Sequence, residues 1–196
     1  LYARWGTISY NVTLNTDGGT INSGSITSYF QGFGAKLPTD VTRTGYIFDG
    51  WYDDNGSKVT EIGSDATGDK SYTARWTPVT YTVAFSANGG DGNMDDQTFA
   101  YDVEQNLAAN TFTRTGYTFA GWSETQDGDV AYSDAESVRN LTSESSGTVT
   151  LYAQWTPITY TVAFNANGGD GNMDNQTFTY DVEQGLNVNT FTRTDA

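Results

Sequence analysis

A stretch of 35 residues occurs twice in this chain with six substitutions. Residues 81–115 read YTVAFSANGGDGNMDDQTFAYDVEQNLAANTFTRT, and residues 160–194, at an offset of 79, read YTVAFNANGGDGNMDNQTFTYDVEQGLNVNTFTRT. Self-similarity at a fixed period constrains the architecture more than any composition does, because each copy must be one supersecondary unit joined to its neighbours. A shorter and more diverged copy comes first. At an offset of 71, Tyr10, Val12, Leu14, Gly18 and Gly19 stand where Tyr81, Val83, Phe85, Gly89 and Gly90 stand later. Arg43-Thr44-Gly45-Tyr46 and Asp49-Gly50-Trp51 likewise match Arg114-Thr115-Gly116-Tyr117 and Ala120-Gly121-Trp122. The copies close on Tyr72-Thr73-Ala74-Arg75-Trp76 and Leu151-Tyr152-Ala153-Gln154-Trp155, and Leu1-Tyr2-Ala3-Arg4-Trp5 has the same form without a repeat ahead of it.

The chain therefore parses into four parts. Residues 1–9 are the closing strand of a preceding repeat plus a linker, 10–79 repeat one, 80–158 repeat two, and 159–196 the first half of repeat three. It starts on Leu1 rather than Met and shows no signal peptide, so it reads as a piece of a longer protein. The joints, Thr77-Pro78-Val79-Thr80 and Thr156-Pro157-Ile158-Thr159, each centre on a proline that fixes φ and extends its predecessor. Short, stiff joints predict an elongated rod of repeats rather than beads on a loose string.

Within repeat two, Tyr81, Val83 and Phe85 alternate with polar or small residues, the period of a half-buried strand. Asn88-Gly89-Gly90-Asp91-Gly92-Asn93 is a turn cluster. Phe99 and Tyr101 mark a second strand, Tyr117, Phe119 and Trp122 a third, and Val149, Leu151, Ala153 and Trp155 the last. Asp102 with Gln105, and Ser133 with Glu136, have the spacing of capping boxes and predict two short helices. The expectation is a small, β-rich α+β unit. Its predicted core is Val83, Phe85, Phe99, Leu107, Phe112, Phe119, Trp122, Leu151 and Trp155.

The pattern YTVxFxANGG, then FTRTGYTFAGW, then LYAQWTP, resembles the Listeria–Bacteroides repeat, known also from the B repeats of internalin surface proteins. The resemblance covers essentially the whole chain, and is weakest in the middle of repeat one, Gly32-Phe33-Gly34-Ala35-Lys36-Leu37-Pro38. It implies a β-grasp-like, ubiquitin- or SUMO-like fold and residence on the bacterial cell surface within large modular proteins, many of them adhesins. It implies no catalytic residues and no cofactor. Repeat three departs from it, since Asp195-Ala196 stand where Gly-Tyr is expected.

Chemistry is bounded by what the chain lacks. There is no His and no Cys, which excludes Ser-His and Cys-His catalysis and most zinc sites. The net charge is −15, spread as −3, −9 and −4 over 10–76, 81–155 and 160–196 with +1 from Arg4. Such acidity makes nucleic acid and anionic membranes poor partners and suits a solvated surface. No apolar run is long enough to span a membrane. A carboxylate pair could hydrolyse a glycoside, yet none sits in a distinctive motif.

Asp91, Asn93, Asp95, Asp96 and Asp102 loosely resemble an EF-hand calcium loop, as do their copies from Asp170 to Asp181. However, the loop's required Gly is Asp96 or Asn175, and a polar hairpin turn explains them more simply. A self-formed Lys–Asn cross-link needs a lysine, and Lys36, Lys58 and Lys70 all lie in repeat one. Gly89-Gly90 and Gly168-Gly169 lack the following Lys of a phosphate loop. The aromatics could stack on sugars, but their alternation with Val and Leu fits a core.

The expected function is a non-enzymatic spacer, or stalk, of a bacterial surface protein. An adhesive module binding a host protein or glycan is the alternative, and an accessory module of a surface polysaccharide-degrading enzyme a weaker one. Neighbouring repeats are the expected partners. The unfinished sheet at 160–196 and the spare strand at 1–6 are expected to be poorly ordered or to pair with another molecule.

Overall fold

The computed structural model describes residues 6–194, so the predicted closing strand Leu1–Trp5 lies outside the described residues. Those described form strands and turns and no helix. Repeat one contains β1 (Ser9–Asn15), β2 (Thr20–Ile21), β3 (Ser28–Phe30), β4 (Ala35–Lys36), β5 (Val41–Thr42), β6 (Tyr46–Tyr52), β7 (Lys58–Val59), β8 (Glu61–Ile62) and β9 (Lys70–Pro78). Repeat two contains β10 (Thr80–Ser86), β11 (Gln97–Ala100), β12 (Gln105–Asn106), β13 (Tyr117–Ser123), β14 (Ser137–Val138) and β15 (Thr148–Pro157). Repeat three contributes β16 (Thr159–Val162) and β17 (Gln176–Thr179).

The main sheet of repeat one runs β3-β1-β9-β6-β7, and that of repeat two runs β11-β10-β15-β13. The sheet of repeat one is mixed. The first and last long strands, β1 and β9, are parallel, with Val12 opposite Lys70, while β6 lies antiparallel to β9. A sheet that pairs its first strand with its last cannot form until the whole repeat is present. In repeat three, β16 and β17 pair alone, Tyr160 opposite Phe178.

By backbone contacts the chain divides into two compact units that cut across the repeat frame. One runs to Thr82 and adds Thr98–Gln105 and Val138–Thr148; the other takes Val83–Gln97, Asn106–Ser137 and the chain from Val149 onward. The first is built on Val12, Tyr29, Leu37, Val41, Trp51, Ile62, Tyr72 and Ala74. Its Trp51 indole N–H donates to Pro38 O at 2.7 Å. The second is built around Trp122, with Val83, Leu151 and Ala153 also fully enclosed. The rings of Phe85, Phe112 and Phe119 lie 5.0, 6.2 and 4.9 Å from that of Trp122. Burying a side chain of this size stabilises by roughly 1.5–3 kcal/mol, so a few rings can hold a unit this small.

The Gly-Trp signature has a geometric cause. The β6–β9 register jumps between Phe48 and Gly50, and the β13–β15 register between Phe119 and Gly121, leaving Asp49 and Ala120 as bulge residues. Burial then runs over successive residues, Gly50-Trp51 and Gly121-Trp122-Ser123, which strict alternation forbids. Gly121 has φ +144°, and a Cβ there would come within 2.5 Å of Val130 Cγ1. The bulge aims the tryptophan inward, and only glycine fits before it.

The predicted α+β class is corrected to all-β. Asp102, expected to cap a helix, has φ +59°, and β12 follows in extended form. An N-cap needs β-region dihedrals, and the side chain of Asp102 is committed elsewhere. At the second site Ser133 N does donate to Glu136 Oε2 at 2.6 Å, half of a capping box. Ala135 has φ +53°, however, and the turn goes straight into β14. The β-grasp-like reading therefore has no helix for its sheet to hold. Of the predicted core, Val83, Phe99, Leu107, Phe112, Trp122 and Leu151 are buried, while Phe85, Phe119 and Trp155 are half-buried.

Candidate functional site

The acid-rich turn is stapled by its backbone. Asp91 N donates to Thr113 O at 2.7 Å and Thr113 N to Asp91 O at 3.0 Å, and Asp170 and Thr192 repeat the bridge. Asp102 spends its carboxylate otherwise. It accepts from Tyr46 Oη at 2.7 Å on one oxygen and from Asn140 Nδ2 at 2.7 Å on the other. Among the described residues no three His, Cys, Asp or Glu side chains converge as a metal site would require.

Among the described residues three carboxyls have clearly shifted acidities, and all three move down. Asp40 is held low by hydrogen bonds from Asn22 and Ser23, Asp49 by Tyr52 and Lys58, and Asp102 by Asn140 and Tyr46. The acid of a glycosidase needs the opposite direction. Lys58 Nζ stands 3.2 Å from Asp49 Oδ1, with both side chains nearly half exposed, which is an ordinary surface ion pair. The Tyr52 hydroxyl donates to the other oxygen of Asp49, and the Arg75 guanidinium covers the Tyr52 ring.

The described tryptophans are not a sugar platform. Trp51 and Trp122 are enclosed, and Trp76 and Trp155 each donate the indole N–H at 2.9 Å, to Thr16 O and to Ala87 O. Phe33, 78% exposed, stands out on its loop as the most exposed aromatic ring among the described residues. An open groove of about 480 Å³ in the first unit is lined by Thr20, Thr42, Arg43, Thr44 and Ser145. Its cation is already engaged, since Arg43 Nη1 donates to Asp17 O at 2.9 Å and the guanidinium lies 4.0 Å from the Tyr46 ring centre. A cavity against Trp51, about 220 Å³, is smaller than the roughly 300–1,000 Å³ typical of small-molecule sites.

Sequence reasoning missed one constellation. Tyr46, Asp102 and Asn140 come together from positions 56 and 38 residues apart, and Tyr117 with Asp181 from 64 apart. The visible signal was the pairwise recurrence of Gly-Tyr at 45–46 and 116–117 and of Tyr-Asp at 101–102 and 180–181. Each had been absorbed into a strand or a cap.

The chain matches the family model of the Listeria-Bacteroides repeat domain over residues 10–74, 81–154 and 160–196. It is 30% identical over 172 residues to a protein of Evansella cellulosilytica named "Putative Gly-rich membrane protein", covering 86% of this chain and 19% of that one. A second protein of that organism, named "Putative membrane protein", is 29% identical over 86% of this chain and 24% of its own length. Internalin H of Listeria monocytogenes is 32% identical over 126 residues, 62% of this chain and 21% of that protein. The chain thus spans about a fifth to a quarter of the relatives it matches. With three successive matches along its length, it belongs to the Listeria-Bacteroides repeat family.

Proposed function

We propose that this chain is a non-enzymatic spacer in a bacterial cell-surface protein, holding another part of that protein away from the envelope. The observation that carries the reading is where the distinctive residues are spent. Trp, Gly-Trp, Asn-Gly-Gly and Tyr-Asp all serve cores, turns and repeat junctions. The names of the relatives, two membrane proteins and an internalin, support the location. Near-identity of residues 81–115 and 160–194 supports the role, since a spacer needs only a working fold and copy number. The test is binding of the 1–196 chain to glycan arrays and to host-cell surfaces. Signal at the level of an unrelated acidic domain is expected. Saturable, competable binding would replace the spacer reading with the adhesive one.

A further inference from the structure

Within the first compact unit, the Thr-Gly-Tyr turn of repeat one meets the opening of repeat two. Tyr46 donates its hydroxyl to Asp102 at 2.7 Å, and its ring meets Tyr101 edge-on at 5.8 Å. The backbone is tied in the same place: Val79 N donates to Gly45 O and Tyr101 N to Val79 O, both at 2.9 Å. Gly45 has φ +76°, and a Cβ there would lie 2.3 Å from the Tyr101 ring, so the ring seats on bare backbone.

The second unit contains the same assembly one repeat later. Tyr117 donates to Asp181 at 2.9 Å, and its ring meets Tyr180 at 5.8 Å and 75°. Ile158 N donates to Gly116 O and Tyr180 N to Ile158 O, both at 2.9 Å. A Cβ on Gly116 would lie 2.3 Å from the Tyr180 ring. Asp102 and Asp181 share the left-handed backbone, at φ +59° and +56°. Asn140 also donates to Asp102, a bond made within repeat two itself, while the Tyr–Asp bonds join successive repeats.

Repeat one can be placed on this frame. Gln31 N donates to Ile8 O at 2.9 Å, as Tyr101 N does to Val79 O, so Gln31-Gly32 occupies the place of Tyr-Asp. Gly32 has φ +90°, the same backbone region without the carboxylate. The position exists in all three repeats, but in repeat one it carries neither ring nor acid.

We propose that Gly-Tyr and Tyr-Asp form a clasp by which one repeat recognises the next copy of itself, and that repeat one can offer the clasp but cannot receive it. The partner this surface fits is another repeat bearing Tyr-Asp after its second strand. A run of such repeats is coupled neighbour to neighbour, and a repeat bearing Gln-Gly begins a new coupled block. The clasp does not depend on the spacer role and would serve an adhesive array equally.

The test uses the 1–196 chain with Tyr101→Gln and Asp102→Gly, which installs at repeat two the pair repeat one already carries. Hydrogen exchange by NMR is expected to quicken about tenfold or more at the Val79 amide and, after correction for the changed side chain, at the amide of position 101, while Ile158 and Tyr180 at the other junction keep their rates. Unchanged exchange at Val79 and at position 101 would overturn the proposal. A milder cycle, Tyr46→Phe and Asp102→Gly singly and together, guards against misfolding of that variant. The unfolding constants should depart about fivefold from independence. Strict independence would equally overturn the clasp.

Discussion

Residues 81–115 and 160–194 differ at six of 35 positions, yet they do not bury the same surface. Tyr81 is 1% exposed and its copy Tyr160 47%; Leu107 is 2% exposed and its copy Leu186 66%. The local pairing survives all the same. Tyr81 stacks on Phe99 at 5.6 Å and 17°, and Tyr160 on Phe178 at 5.7 Å and 19°. Backbone conformation survives too, with Asn88 and Asn167 both at φ +47° and Gly89 and Gly168 at +84° and +83°. The hairpin and its turn thus follow from the short-range sequence. Burial follows from β13–β15, which repeat two has and residues 160–194 lack.

The sharpest way to break this comparison is hydrogen exchange. Amides of β10 sit in a sheet closed by β15, so they should exchange only through opening of that sheet, whereas β16 pairs with β17 alone. Protection in β10 is expected to exceed that in β16 by about a thousandfold or more. Equal protection would show that the hairpin is stable by itself and that β13–β15 add little.

Side-chain truncation gives a smaller but more specific contrast. Leu107→Ala removes an enclosed side chain and is expected to cost about 2–5 kcal/mol in denaturant unfolding. Leu186→Ala, the same change at the equivalent position, is expected to stay within about 0.5 kcal/mol. Appending the sequence of residues 116–155 after Thr194 should raise the cost of Leu186→Ala to that of Leu107→Ala. A persistent difference in the extended chain would trace the contrast to the six substitutions instead.

These contrasts also mark what the sequence could tell. Strand alternation and the Gly-Trp and closing motifs located the core of repeat two, because Val83, Phe99, Trp122 and Leu151 are selected by short-range periodicity. The helices failed for a physical reason. Asp102-Val103-Glu104-Gln105 has the local form of a cap, but the carboxylate is taken by Tyr46 and Asn140, neither within 30 residues of it. A backbone at φ +59° follows, and extension wins. Ser133 and Glu136 made their local bond, yet the left-handed Ala135 ended the turn. Both halves of the clasp could be read in the sequence; their meeting could not, because it is set by how one repeat follows another.

The gentlest probe is pH, and it acts on the clasps. Tyr46 and Tyr117 are pushed above the ordinary tyrosine range, first by hydrogen bonds to Asp102 and Asp181 and then by desolvation. A raised folded-state pKa contributes stability that is fully present below the unfolded value, about 10 for tyrosine, and is lost as pH rises through the folded value. Asp102 moves the other way, so its contribution is present above about pH 4 and fades as pH falls through the depressed value. The first junction should therefore hold between these limits and loosen beyond both, and the second should loosen beyond the alkaline one. Repeat two keeps its enclosed Trp122, Val83 and Leu151 when a junction loosens, whereas in residues 160–194 Tyr160 and Leu186 are exposed and the Tyr117–Asp181 bond is one of the ties at the junction. Alkaline titration should then release Ile158 and Tyr180 before the β10 amides, by a few-fold in exchange rate after correction for its intrinsic pH dependence. Tyr117→Phe should abolish that alkaline step at the second junction and leave the step at Val79 in place. An alkaline step that persists in Tyr117→Phe would assign the release to another tyrosine and sever the link between clasp and hairpin.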